Sequence, residues 1–175
     1  GLTELVGHLL ARGWTESKSS EYMEERLAFR AAQLNSSVGE TQGSVSLNLL
    51  AKDLDEGLAI LLDILPRPRF QDDKITLRKQ QLLQAMKQRN DDSADIEARE
   101  GAYLAYGEKF WANRLATAAS VEGVTKADLQ AFHHRWFHPA NFVVAVNGDF
   151  DRAAVIAKLE KLVADWTLEG EAPAP

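Results

Sequence analysis

Residues 124–166 read VTKADLQAFHHRWFHPANFVVAVNGDFDRAAVIAKLEKLVADW. Thr125 followed three residues later by Asp128 is typical of a capping box, which predicts a helix from there to Phe137, just before a proline. The uninterrupted apolar run at 142–146 predicts a strand that is buried on both faces. A buried strand beside helices indicates a mixed fold.

The end of this stretch predicts one more helix and then a tail. Gly148 and the aspartate after it predict a turn, and Asp151 predicts the N-cap of a last helix that closes at Trp166. Residues 167–175 are rich in Gly, Glu, Ala and Pro and predict a linker. The domain is therefore expected to span residues 1–166.

Upstream, apolar residues recur with a helical period in five segments and alternate in one pair. The helices are predicted at about 2–10, 20–32 (with Ser20 as N-cap), 54–65, 71–89 and 95–106, and a β-hairpin at 34–38 and 45–49. Three strands are few for so many helices, so one or two more are expected before Gly1. The predicted class is α+β.

The composition argues against several classes of partner and site. The 175 residues carry a formal charge of −6, which argues against a nucleic-acid or anionic-membrane surface as the partner. The absence of cysteine excludes disulfides and thiolate metal sites. No apolar run approaches the roughly 20 residues of a membrane span, and no signal-peptide pattern is present.

Three stretches taken together resemble the insulinase family of zinc peptidases (M16, pitrilysin-like). They are GLTELVGHLLARGWT (1–15), DLDEGLAILLDILPRPRFQDDKITLRKQQLLQAMKQRNDD (53–92) and the stretch 124–166 quoted above. The resemblance implies the LuxS/mitochondrial-processing-peptidase-like metallohydrolase fold, in which helices pack on a mostly antiparallel sheet. Bacterial members are often exported, so the resemblance favours the periplasm over the cytoplasm.

The same resemblance implies where a zinc site would lie. Active members carry His-x-x-Glu-His on the first helix, with two zinc ligands and a general base, and a third ligand, a glutamate, on the long charged helix. In this sequence the two histidines fall on Glu4 and His8, the base on Gly7 and the third ligand on Ala85. Zinc hydrolysis needs the base and the ligands together, so we expect no catalytic residue and no metal ligand here.

Two questions stay open at the level of sequence. Glu4 and His8, four residues apart, are expected to form a surface pair on the helix, although the same spacing would also suit a degenerate metal-binding enzyme. Gly7 costs about 1 kcal/mol relative to alanine within a helix, and either permits close approach of another backbone or is simply tolerated.

The other histidines are weaker candidates. His134 and His138 are four residues apart, but they lack a third ligand, and the matching family segment has no metal role. Structural or surface roles are expected for both, and for His133. No segment matches the family's substrate-contacting Arg/Tyr pair, so no substrate-binding residue is predicted.

The resemblance implies a non-catalytic domain that forms one wall of a peptide-enclosing chamber. Its expected partners are a homologous catalytic half, which would hold the zinc and hydrolyse the bond, and the peptide substrate. The domain alone is expected to be no enzyme, and its parent a zinc metalloendopeptidase. The alternative is a structural or scaffolding subunit without any link to proteolysis.

Overall fold

The computed structural model describes residues 1–15 and 18–166, and eight α-helices and one hairpin lie in these ranges. The helices are α1 (Leu2–Leu10), α2 (Ser20–Phe29), α3 (Leu54–Ile64), α4 (Asp72–Lys87), α5 (Ser93–Tyr106), α6 (Ala118–Glu122), α7 (Lys126–Trp136) and α8 (Arg152–Asp165). The strands are β1 (Gln33–Val38) and β2 (Gly43–Asn48). Short 3-10 turns occupy Ala51–Asp53, Trp111–Asn113 and Pro139–Asn141.

Helix α1 is the centre of the core. Its apolar residues Leu5, Val6, Leu9 and Leu10 are at most 1% exposed. The helix packs against β1 on one side and against α4 and α7 on others. Because it is covered from several directions, α1 has five buried residues among its nine, and Glu4 is its one exposed residue.

The hairpin confirms the predicted alternation. β1 and β2 pair antiparallel with Ser36 opposite Val45 and Leu34 opposite Leu47. Leu34, Ser36 and Val38 are half-buried and alternate with exposed residues, so one face of β1 is turned inward. That face lies against α1, and this contact shapes the site described below.

Both predicted caps in residues 124–166 are confirmed. Thr125 and Asp128 form a reciprocal capping box at the start of α7. The carboxylate of Asp151 accepts a hydrogen bond from the backbone N–H of Ala154 (2.7 Å) at the start of α8. These short-range patterns were predictable because each cap is made by residues three apart in the chain.

The strand predicted at 142–146 is wrong. Val143 is 96% exposed and Val144 59% exposed, and no strand pairs with this segment in the described ranges. Only Phe142 packs inward, with its ring centroid 5.3 Å from that of Trp166. A strand needs a hydrogen-bonded neighbour and cover on its faces, and the described residues supply neither.

Several boundaries also differ from the predictions. Ser19, not Ser20, caps α2, and it accepts a hydrogen bond from the N–H of Tyr22. Helix α6 was not predicted, and the sheet has two strands rather than three among the described residues. The described part of the chain is thus mostly helical with a two-stranded antiparallel sheet.

Two further predictions bear on the ends of the chain and on membranes. The predicted linker 167–175 lies outside the described residues, and the strands expected before Gly1 stay a prediction. In residues 1–15 and 18–166, no helix has both the length and the apolar character needed to cross a bilayer.

Candidate functional site

Glu4 joins α1 to α4 through an ion pair. Its Oε1 lies 3.1 Å from Nη2 of Arg78, which projects from α4. The Arg78 side chain is 23% exposed, and its Nε is buried with no hydrogen-bond partner among the described residues. Glu4, at the position that the family resemblance gives to the first zinc ligand, therefore pairs with an arginine. The spacing had suggested a pair with His8 instead.

Gly7 lies directly against strand β1. A β-carbon built at this position would overlap the backbone nitrogen of Val38 and stand 2.9 Å from the carbonyl carbon of Ser37. Both obstacles are backbone atoms, which cannot rotate out of the way as the end of a side chain can. Of the two explanations left open by the sequence, the structure supports close backbone approach.

The side chain of Ser36 in β1 forms two hydrogen bonds with the backbone of α1. Its hydroxyl accepts from the N–H of Ala11 (3.0 Å) and donates to the carbonyl of Gly7. Residues 7 and 11 are the pair that an α-helix would normally join directly. The Ser36 hydroxyl therefore bridges the N–H and the carbonyl that would otherwise bond to each other in α1. Hydrogen bonds as well as close packing thus hold β1 to α1.

His8 lies one turn after Glu4 and is only partly covered. Burial, followed by the positive charges of Arg78 and Arg12, lowers the pKa of His8 from its ordinary value to about 4. The imidazole is therefore neutral at physiological pH, which is the form that binds metals. The positive charges of Arg78 and Arg12 also disfavour any other cation beside His8.

The zinc implied by the family does not fit the residues present. Glu4 and His8 are two possible donors, but Ala85 is an exposed methyl group where the third ligand would stand. No group of three or more His, Asp or Glu side chains suited to a metal occurs in the described part of the chain. Gly7 provides no base, and a larger residue there would collide with β1.

The remaining histidines take different positions. His133 is buried in the core, where its Nε2 donates to the carbonyl oxygen of Leu65 (2.7 Å) and its ring stacks on Phe137. Burial lowers the pKa of His133. His138 caps the 3-10 turn after α7 by accepting the N–H of Ala140, and His134 is exposed on α7. The geometry gives His133 and His138 structural roles.

Two residues of the site were missed from the sequence. Arg78 lies seven residues before Ala85, so both are on the same face of α4. That spacing could have predicted that Arg78 lies near the motif positions. The contact of Ser36 with α1 could not be predicted from the sequence, because nothing distinguishes this serine from an ordinary polar residue of a strand.

The sequence matches two models of known peptidase families. The model of the insulinase family (peptidase family M16) matches residues 1–105, and the model described as peptidase M16 inactive domain matches residues 123–175. The chain belongs to the M16 peptidase family. The resemblance found in the three sequence stretches is thereby confirmed.

The sequence relatives are described as proteases. An uncharacterized zinc protease of Mycobacterium tuberculosis is 23% identical over 174 residues, which are 99% of this chain and 40% of the relative. A probable mitochondrial-processing peptidase subunit beta of Arabidopsis thaliana is 21% identical over 167 residues, covering 93% of this chain and 30% of that protein. The M16 chain thus spans well under half the length of these relatives.

Solved structures show the same fold. A crystal structure of a peptidase M16 inactive domain from Pseudomonas fluorescens superposes with a TM-score of 0.81 at 23% identity, covering 100% of this chain and 43% of that one. The periplasmic protease PqqL from Escherichia coli gives a TM-score of 0.78 at 15% identity, covering 99% of this chain and 19% of that one. The M16 domain fold is therefore shared despite low identity.

Proposed function

We propose that this M16 domain is non-catalytic and forms the wall of a peptide-enclosing chamber opposite a homologous, zinc-bearing half. The observation that carries the proposal is what the residues at three of the four motif positions contact or lack. Glu4 is paired with Arg78, Gly7 is packed against the backbone of β1, and Ala85 offers no ligand. A zinc peptidase loses its activity when the base and a ligand are absent together.

Two observations support a partner role rather than an independent one. The relatives named as zinc proteases are more than twice as long as this chain, so they have room for a second half. The apolar side chains of Val143, Val144 and Val146 are exposed, which is unusual unless another surface covers them. The zinc and the hydrolytic chemistry then belong to the homologous half, and this domain supplies shape and peptide contacts.

The test is a peptidase assay of the isolated chain with a mixture of internally quenched fluorogenic peptides, with and without added zinc. We expect no hydrolysis above a buffer control and no stoichiometric zinc by elemental analysis. Hydrolysis that a chelator abolishes and His8→Ala removes would overturn the proposal in favour of a degenerate enzyme.

A second experiment separates the chamber wall from the scaffold. The chain is mixed with an M16 protein that carries an intact His-x-x-Glu-His motif and is encoded with it, and peptide hydrolysis is measured. The chamber proposal predicts that hydrolysis by the mixture exceeds that of the catalytic protein alone by tenfold or more. Binding without any change in hydrolysis would instead support a scaffold.

A further inference from the structure

The two helices that carry the motif positions are joined here by an arginine. In the family pattern, zinc would take two ligands from α1 and one from α4, and would thereby cross-link the two helices. In this chain the ion pair from Arg78 to Glu4 connects the same helices. We propose that the Arg78 guanidinium replaces the metal as an internal cation, both holding α1 to α4 and excluding divalent cations from the site.

The position of Arg78 supports this replacement. Ala85 is the seventh residue after Arg78, which places it about two turns or roughly 10 Å further along one face of α4. The guanidinium reaches Glu4 at 3.1 Å, and its charge also acts on His8, one turn further along α1. The arginine therefore contacts one motif donor of α1 directly and acts on the other through its charge.

The charge on this arginine is permanent. Arginine side chains are always charged in proteins, whereas buried lysines readily lose their charge. The Arg78 side chain is 23% exposed and that of Glu4 is 49% exposed, so solvent screens the arginine's field less than it screens the field of a fully exposed side chain. A zinc ion placed between Glu4 and His8 would meet this charge and would compete with it for the carboxylate.

The proposal separates two causes of metal loss. If only ligands were missing, adding a carboxylate at position 85 would create a set of Glu, His and Glu able to hold zinc. If Arg78 also excludes the metal, that substitution alone fails and removal of the arginine is needed as well. This distinction holds whether the domain is a chamber wall or a scaffold, so the test does not depend on the proposed function.

The experiment measures zinc binding by isothermal titration calorimetry, with zinc alone as the probe. We compare A85E, A85E/R78Q and the matched control A85E/K87Q. Lys87 is an exposed cation of the same helix, so the two double variants have equal net charge. We expect A85E/R78Q to bind zinc at least tenfold more tightly than A85E or A85E/K87Q, and the gain to vanish when His8→Ala is added.

Equal affinity of A85E and A85E/R78Q, including no detectable binding by either, would overturn the exclusion of metal by Arg78. Far-UV circular dichroism of every variant verifies folding, and R78M, which keeps most of the aliphatic stem, replaces R78Q if the latter does not fold.

A metal-free measurement tests the link between the helices. In urea unfolding, we expect the double variant E4Q/R78Q to have nearly the same midpoint as R78Q alone, because either substitution breaks the same pair. Strictly additive effects of E4Q and R78Q would show that the two side chains do not stabilise the helix pair together, and would overturn this part of the proposal.

Discussion

A β-carbon at Gly7 would overlap the backbone nitrogen of Val38, so α1 and β1 meet where only a hydrogen atom fits. The contact lies at the motif position that the family resemblance gives to the catalytic glutamate. The glycine allows the strand to approach the helix, at the position where the family resemblance predicts that the base is missing.

Gly7→Ala is expected to destabilise the protein, although alanine favours a helix more than glycine does. Overpacking against backbone costs about 1–3 kcal/mol, which exceeds the gain in helix propensity of about 1 kcal/mol. Urea unfolding gives the difference. The matched control is Gly101→Ala in α5, where a β-carbon meets nothing within 4 Å and stability should rise by up to about 1 kcal/mol. A stabilising effect at both positions would contradict this packing.

The double variant Glu4→His with Gly7→Glu restores the His-x-x-Glu-His pattern without restoring a peptidase. Ala85 still provides no third ligand, and a glutamate at position 7 must displace β1. We expect no chelator-sensitive hydrolysis of fluorogenic peptides and a urea midpoint below that of Glu4→His alone. Measurable hydrolysis by the double variant would show that the third ligand comes from another residue.

Stability should fall as the pH drops below about 6.5, the ordinary pKa of histidine. Burial lowers the pKa of His133, so the unfolded chain takes up a proton before the folded one does. The contribution is complete above pH 6.5 and is lost as the pH falls through the pKa of the folded state. His8, with a pKa of about 4, extends the decline to that pH.

The measurement is the free energy of unfolding in urea between pH 4 and 8. His133→Gln keeps a donor for the carbonyl of Leu65 and should cost about 1–2 kcal/mol at pH 8. The slope of its stability against pH between 4 and 6.5 should be shallower than that of the native chain. Parallel curves for the two proteins would exclude His133 as a source of the acid sensitivity.

Val143→Lys should leave the stability of this chain within about 0.5 kcal/mol of native, because the side chain is 96% exposed. Light scattering at high concentration should decrease, since the substitution breaks an exposed apolar run. Leu129→Ala in α7, where the side chain is fully buried, is the contrasting variant and should lose about 2–5 kcal/mol. A loss of similar size at Val143 would mean that this segment is covered after all.

Local patterns in the sequence predicted most of the secondary structure. The capping box of Thr125 and Asp128 and the alternation around Ser36 depend on neighbours a few residues away, and both were confirmed. The short α6 was missed because five residues give too little periodicity to detect. The strand at 142–146 was wrong because an apolar run shows that a segment is suited to burial, but not that anything covers it.

The sequence alone identified the family, and comparison of Glu4, Gly7 and Ala85 with the family's motif predicted a degenerate zinc site. Tertiary structure alone decided which residues contact Glu4 and Gly7. The contact of Gly7 with β1 spans about thirty residues of chain, and the pair of Glu4 with Arg78 has a sequence separation of 74. Such contacts depend on how helices and strands pack, which no local pattern of residues specifies.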